Sequence, residues 1–388
     1  MRILHTADWH LGAYLGNFSR VAEQALFLDQ LCQIVGENSV DMVIVAGDIY
    51  DSSNPPAAAE ALFYSAMTRL YEMRVPAVVV AGNHDSAERL NAIVPMAREL
   101  GVFVFADRPG HIEINVKGQS VVIASMPFVS EKRLNEAIFT TGDEAAMQKE
   151  FSAKVAGLFA EATSHFREDT VNIAVGHFHI AGGESSKGLE RDIQLGGVFA
   201  VRPADMPAAD YIAMGHLHRA QRLICGPADG HLAHYAGSPL PYSLSERGQP
   251  KSVNIVDIAP GQVAKVDKFF LDCPKPIEIW TVATAAEAIE KCRENVQSNA
   301  YKYIVITGEH TISAYDIKEM RRLTANIVSI ELVSDKQGAA EVSMGSLQTL
   351  EPREEFANFY AKSKGATPDK QIVSIFDEIL SNADEEAL

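Results

Sequence analysis

Cysteine, long apolar runs and excess positive charge are what this 388-residue chain has little of. Its four cysteines, Cys32, Cys225, Cys273 and Cys292, are scattered with no CxxC pair, which fits buried thiols in a reducing cytosol rather than a disulfide framework. No apolar run approaches ~18 residues, so a transmembrane span is excluded. The opening Met1-Arg2-Ile3-Leu4-His5 turns polar by Asp8, too early for a signal peptide. A soluble cytoplasmic protein is the expectation. Lys and Arg number 34 against 51 Asp and Glu, a net charge of −17. Phosphate neutralisation drives non-specific nucleic-acid affinity, so this balance predicts weak binding to such polymers by the chain alone and points to a basic partner. Part of the acid is concentrated in Glu351 to Leu388, and metal ions add local positive charge that a residue count omits.

What is present is an alternation of apolar runs and helical patterns. Arg2–Ala7, Met42–Ala46 and Val78–Ala81 read as buried strands, and the stretch from Arg20 to Val35 and that from Ala57 to Met73 as helices, the second announced by Pro55-Pro56. Continuous apolar strands alternating with helices indicate a sheet covered on both faces. The middle turns β-rich, with strands at Val102–Ala106, His111–Val116 and Val121–Met126. A long helix from about Asp143 to Phe166 follows, then strands Val171–Val175 and Tyr211–Met214. Strands at Arg222–Cys225, Ala233–Ala236, Val253–Ile258 and Val263–Leu271 complete an α/β fold, a two-sheet sandwich flanked by helices over residues 1–271. Prolines at Asp272-Cys273-Pro274-Lys275-Pro276 mark a linker. Residues 277–335 read βαβαβ, a small α/β domain. After a polar stretch from Asp335 to Thr349, residues 350–388 carry two helical segments, Pro352–Ser363 and Asp369–Leu380. The second of these shows an apolar face of Ile372, Ile375, Phe376 and Ile379. No internal repeat is evident.

Five polar clusters sit at the ends of apolar runs: Asp8-Trp9-His10, Gly47-Asp48-Ile49-Tyr50-Asp51, Gly82-Asn83-His84-Asp85, Gly176-His177 and Gly215-His216-Leu217-His218. The C-terminal ends of strands are where α/β sheets bind ligands. Carboxylate oxygen, amide oxygen and imidazole nitrogen together suit Mn, Fe or Zn rather than Ca. Asp48 has two carboxylate oxygens and can bridge two ions roughly 3.5–4 Å apart. His216 and His218, two apart along a strand, face one side and can reach different ions. The set gives one ion Asp8, His10, Asp48 and His218, and the other Asp48, Asn83, His177 and His216. Ions so paired ready a water for in-line attack on phosphorus.

His84 is the one imidazole beside this set without an ion, and so the candidate general acid or transition-state stabiliser at the leaving oxygen. Asp85 either orients His84 or caps the following helix. Asp51 is a candidate acceptor for a ligand histidine, with a turn-forming role as the bland alternative. Arg89 is a candidate for contact with a substrate phosphate, or a solvated helix residue. Taken singly, Asp8, Asp48 or Asn83 could each cap a helix; five clusters in this order argue for the ligand set. His5, His231 and His234 read as structural.

The series DxH, GDxxD, GNHD, GH and GHxH resembles the calcineurin-like metallophosphoesterases, and within them the SbcD family of nuclease subunits. The opening Met1-Arg2-Ile3-Leu4-His5-Thr6-Ala7-Asp8-Trp9-His10-Leu11-Gly12, the run Ala209 to His218 and Tyr235-Ala236-Gly237-Ser238-Pro239-Leu240 carry that resemblance, firm over Met1 to Leu271. It implies a metallophosphoesterase sandwich with Mn-dependent cleavage of DNA phosphodiesters, exonucleolytic on duplex ends and endonucleolytic on single strands or hairpins. It also implies the ligand assignment above with His84 outside it, residues 277–335 as a capping domain that places DNA, and tail helices docking on an SbcC-type coiled-coil ATPase. A homodimer through helices of the catalytic domain is implied too. The fourth cluster departs from the family in reading Gly176-His177-Phe178-His179; His179 is expected to stay outside the ligand set.

Fold and metals alone do not separate a DNA nuclease from a small-molecule phosphoesterase. The extra domain and amphipathic tail favour the nuclease. The intact ligand set argues against a third reading, an inactive scaffold.

Overall fold

The computed structural model describes residues 1–128, 143–185, 199–226, 231–308 and 311–333. In chain order these form β1 (Arg2–Thr6), a short hairpin of β2 (Tyr14–Leu15) and β3 (Phe18–Ser19), α1 (Val21–Glu37), β4 (Met42–Ala46), α2 (Ala57–Glu72), β5 (Ala77–Val80), α3 (Ala87–Glu99) and β6 (Val102–Phe105). Then come β7 (Gly110–Val116), β8 (Gln119–Met126), α4 (Glu144–Thr163), β9 (Val171–His177), β10 (Tyr211–Gly215), β11 (Gln221–Cys225), β12 (His231–Tyr235), β13 (Ser252–Asp257) and β14 (Lys265–Phe270). The last described elements are β15 (Ile277–Val282), α5 (Ala285–Glu294), β16 (Tyr301–Ile306), α6 (Ala314–Leu323) and β17 (Ile327–Leu332). The expected tail helices lie outside the described residues. Contacts separate Met1–Leu332 from Val333–Leu388. No helix among the described residues is long and apolar enough to cross a membrane.

The strands make the expected two-sheet sandwich. One six-stranded sheet runs β14-β13-β1-β4-β5-β6, the other β11-β12-β10-β9-β8-β7. In the first, β1, β4, β5 and β6 are mutually parallel; in the second, β12, β10, β9 and β8 are. Strand alternation sorts side chains to two faces. Ile3, Ile44, Val78 and Val80 point inward and meet Ile123, Ile173, Val175 and Ala213 of the opposite sheet. Leu4, Val43, Val45 and Val79 point outward, beneath Phe27, Leu31, Phe63 and Leu70 of the helices. On the far side, α4 covers Ala124, Ala174 and Ile212 with Phe151, Val155 and Phe159. Burial on both faces explains why these strands are apolar without interruption.

The hairpin β2–β3 escaped the sequence reading because two-residue strands carry no periodic signal. The other elements differ from their expected spans by a few residues at the ends, where local pattern is weakest. Residues 277–332 form the anticipated βαβαβ, a parallel sheet ordered β15-β16-β17 with its own core of Trp280, Ala288, Ile304, Ile306 and Met320. Thr284 and Ser313 cap α5 and α6 by accepting from Glu287 N and Asp316 N. This module meets the sandwich through Ile277, Tyr301 and Val328 against Leu15 and Phe18.

Candidate metal centre

Five parallel strands end at one place. β1, β4 and β5 of one sheet and β9 and β10 of the other each run into one of the five clusters. Two loops lie side by side, with Asp8 N donating to Gly47 O (3.0 Å) and His10 N to Asp48 O (3.0 Å). Asp8 joins the sheets by accepting from His216 N through Oδ1 (2.8 Å), and Asp48 Oδ1 accepts from His84 N (2.9 Å).

The turns that aim these side chains are unusual. Asp8 (φ 52°), His10 (φ 44°), Asp48 (φ 47°) and His216 (φ 97°) all occupy the left-handed region, which disfavours such residues. The backbones also come very close. A Cβ on Gly82 would lie 2.1 Å from Asp48 Oδ1, and one on Gly215 would lie 1.8 Å from Ala46 O. Only glycine permits that approach.

The donor atoms converge inside a buried pocket. Asp8, His10 and His218 present ligand atoms within 4.8 Å of one another, as do Asp8, Asp48 and His177, and also His10, Asp48 and His84. His10 Nε2 is 3.0 Å from His218 Nε2. His177 Nε2 and His216 Nδ1 each stand 3.0 Å from Asn83 Oδ1, with His177 Nε2 also 3.4 Å from Asp48 Oδ2. All seven expected ligands, Asp8, His10, Asp48, Asn83, His177, His216 and His218, are therefore gathered together. His84 enters the same cluster, at a ring-centroid distance of 4.7 Å from His10.

Partners around the cluster fix the imidazoles. His177 Nδ1 donates to Ala46 O (2.8 Å), because a carbonyl can only accept, which leaves Nε2 facing the centre. His84 Nδ1 likewise donates to Asp51 O (2.8 Å). Asp51 Oδ1 lies 3.3 Å from His10 Nδ1. Electrostatics express the crowding. Burial pushes the Asp8 carboxyl up despite nearby His177 and His218. Burial also opposes charge on Asp48, yet contact with His177, with help from His10 and His84, holds its carboxyl well below the ordinary range. Against its own burial, His177 is raised to about 9 by Asp48 and Asp8. Burial lowers His10, and burial together with His177 lowers His216 strongly.

Four buried atoms here, Asp8 Oδ2, His84 Nε2, His10 Nδ1 and Asp51 Oδ1, have no hydrogen-bond partner, the last two lying 3.3 Å apart. Leaving such groups unpaired costs roughly 1–3 kcal/mol each. Divalent cations among these carboxylate, amide and imidazole donors would complete Asp8 Oδ2, and the donor chemistry fits Mn, Fe or Zn.

Asp85 requires correction. It does not touch His84, nor does it cap α3, since Ser86 takes that place by accepting from Arg89 N. Its carboxylate accepts from Ile49 N (3.1 Å), Tyr50 N (2.9 Å) and Gly82 N (2.8 Å). Burial and the nearby Asp48 raise it to about 6. Asp85 thus ties the Asp48 loop to the Gly82 loop. The Arg89 guanidinium rests on Asn54 Oδ1 (2.5 Å) and Glu60 Oε1 (3.3 Å) and is half exposed. His179 is not among the three groups of converging donors, and its Nε2 is 3.3 Å from Gly183 O. His5 is buried on Tyr211 Oη (2.9 Å), and His234 stacks on that same ring.

Glu246, Lys251 and Tyr242 were missed. Glu246 Oε1 holds His218 Nδ1 (3.0 Å), while Oε2 accepts from Lys251 Nζ (2.5 Å) and Ser238 Oγ (3.0 Å). Burial opposes its charge, but His218 and Lys251 pull it below the usual carboxylate range. Tyr242 packs its ring 5.4 Å from that of His10 and donates to Trp9 O. In the sequence, Glu246 reads as one more charge in a polar turn; the only local hint was Ser238, within the Tyr235–Leu240 segment.

Residues 1–220 match the calcineurin-like phosphoesterase family model. The chain is 38% identical to the SbcD component of the SbcCD nuclease of Bacillus subtilis (strain 168), covering 100% of this chain and 99% of that one. It is 35% identical to the SbcD component of the same nuclease in Rhodobacter capsulatus, over 71% of this chain and 70% of the relative. Among solved structures, a dimetal phosphatase from Danio rerio aligns at 13% identity and a TM-score of 0.41, over 69% of this chain and 95% of that one.

Proposed function

The chain belongs to the calcineurin-like phosphoesterases and, among them, to the SbcD components of SbcCD nucleases, and from that premise we propose how it works. It cleaves DNA phosphodiesters at two divalent cations, preferably Mn²⁺, held by Asp8, His10, Asp48, Asn83, His177, His216 and His218. Bound there, the cations would supply positive charge to the phosphoryl oxygens and acidify a water. The protein's own residues do the rest. Asp48 spans the two halves of the centre, Asp51 and Glu246 orient His10 and His218, and Ala46 O fixes the tautomer of His177. His84, anchored through Nδ1, delivers a proton from Nε2 to the leaving oxygen. Arg89, at the rim, is offered as a phosphate contact once it leaves Glu60.

The observation that carries this reading is the convergence of seven donors from both sheets, six of them buried and Asn83 half-buried, with four of the site's polar atoms lacking a hydrogen-bond partner. The likeness to the SbcD component of the Bacillus subtilis nuclease, 38% identical over 100% of this chain, favours DNA over a small nucleotide. Residues 277–335 act as the capping domain, and residues 350–388 bind the SbcC-type coiled-coil ATPase, which supplies the basic surface that a chain of −17 lacks. A homodimer within a heterotetramer, in the cytoplasm, completes the proposal.

The test compares a DNA hairpin with bis(p-nitrophenyl) phosphate, each with Mn²⁺ and Mg²⁺, with and without the ATPase. Cleavage of both with Mn²⁺, with DNA cleavage enhanced by the partner, is expected. Hydrolysis of the small ester alone under every condition would favour a small-molecule phosphoesterase instead. Deleting residues 351–388 should abolish co-purification with the ATPase and spare hydrolysis of the small ester.

A further inference from the structure

Arg20 is fully buried, one of the largest side chains in the protein with no solvent exposure. Nothing in the reaction uses it. Burying a guanidinium is costly unless it is well paired; here its partners come from two different parts of the molecule, while Nη2 makes an ion-pair contact with Glu23 Oε1 (2.9 Å) without a hydrogen bond. Nε donates to Glu23 Oε1 (2.9 Å) and Nη1 to Pro241 O (2.6 Å). One ring beside it is Tyr242 of the sandwich, its centroid 5.6 Å from Cζ; another is Tyr301 of the three-stranded module, at 4.9 Å. Tyr301 Oη also donates to Glu23 Oε2 (2.8 Å).

The same cage reaches the ligand loop. Gln24, next to Glu23, donates to His10 O (2.6 Å) and Tyr242 Oη (3.2 Å) and accepts from Gly12 N (2.9 Å). Tyr242 lies against the rings of both His10 (5.4 Å) and His218 (6.2 Å). A continuous set of contacts therefore runs from Tyr301 through Arg20 and Tyr242 to two donors assigned to one ion.

We infer that Arg20 is a positioning residue through which the Ile277–Leu332 module, by way of Tyr301, sets His10 and His218 for one of the two cations. The inference rests on the metal-centre reading above. It makes the seating of the module and the affinity of one ion a single property. Hydrogen bonds and packing around metal ligands typically change affinity by roughly 10–100-fold when lost.

The experiment titrates Mn²⁺ into the metal-free full-length chain, following stoichiometry and affinity by electron paramagnetic resonance, with thermal melting measured in parallel. Tyr301→Phe removes one hydroxyl; Arg20→Met keeps volume and removes the charge, and is expected to lower stability because Glu23 is left buried without its partner. In both variants, one Mn²⁺ equivalent should weaken by roughly tenfold, the same equivalent that His218→Ala weakens, with the other little changed. Arg20→Lys, which keeps the charge, should recover part of that affinity. Two folded variants with wild-type titrations would overturn the inference and make the cage simple glue between modules. An equal loss at both equivalents accompanied by a lower melting temperature would do the same. Should Arg20→Met fail to fold, Tyr301→Phe alone decides. A wild-type chain that takes up no Mn²⁺ would overturn the metal reading as well, and so separates the two failures.

Discussion

At the metal centre, four ligand-loop residues stand in left-handed backbone, glycines are pressed against donors, and buried polar atoms lack partners. Among the described residues of the Ile277–Leu332 module the non-glycine residue with positive φ is Asn326 (φ 61°), of a type that tolerates it, and both helices carry side-chain caps. Even its buried Lys302 is satisfied, donating to Ser298 O, Ala300 O and Ala325 O at 2.9–3.0 Å. Local preference and global fold agree in the module and conflict at the centre. Such conflict persists where the surroundings over-determine it, and it collects at functional sites. The module is built to be stable, the centre to be completed by something it binds.

That contrast can be broken in order of expected effect. Asp48→Ala removes the shared carboxylate, and should empty both cation positions and take cleavage to the metal-free background; metal analysis of the purified variant checks it. Retention of one ion per chain would show that the two halves are independent. His84→Gln should keep both ions and lose phosphodiester cleavage by ~10²-fold or more, the scale of a lost proton-transfer group. Loss of metal in parallel would move His84 into the ligand shell.

Glu246→Gln comes next. It keeps the shape but leaves Lys251 without its charge partner and His218 without a carboxylate, so metal affinity should fall roughly 10-fold or more. Cleavage at saturating Mn²⁺ should recover much of the wild-type rate; a rate that stays low would give Glu246 a further role. Smallest is Ser313→Ala in the module. Loss of that cap should cost about 1 kcal/mol of stability, read by denaturant unfolding, with cleavage of the small ester unchanged. A drop in ester hydrolysis would mean that the regular module and the strained centre are more tightly joined than a cap suggests.

Much of the centre was legible because parallel strands bring their C-terminal ends together. Asp8, Asp48, Asn83, His177 and His216 each follow an apolar run, so knowing where the strands end is nearly enough to know where the donors meet. Asp85 misled because adjacency in sequence suggested His84, whereas its oxygens found three backbone donors on two loops. Glu246 and Lys251 gave no sign, lying in polar segments that local pattern assigns to solvent.

The chain alone determined its layered α/β class, the strand ends and the set of donor side chains, because each depends on apolar periodicity and on short stretches of neighbouring residues. The tertiary structure decided which nitrogen of His177 and His84 is held by a carbonyl, which carboxylates meet imidazoles or backbone amides, and that a buried arginine lies between the module and the centre. Those outcomes depend on atoms brought together from positions tens or hundreds of residues apart, such as Tyr301 and Glu23, and no local pattern along the chain encodes such a meeting.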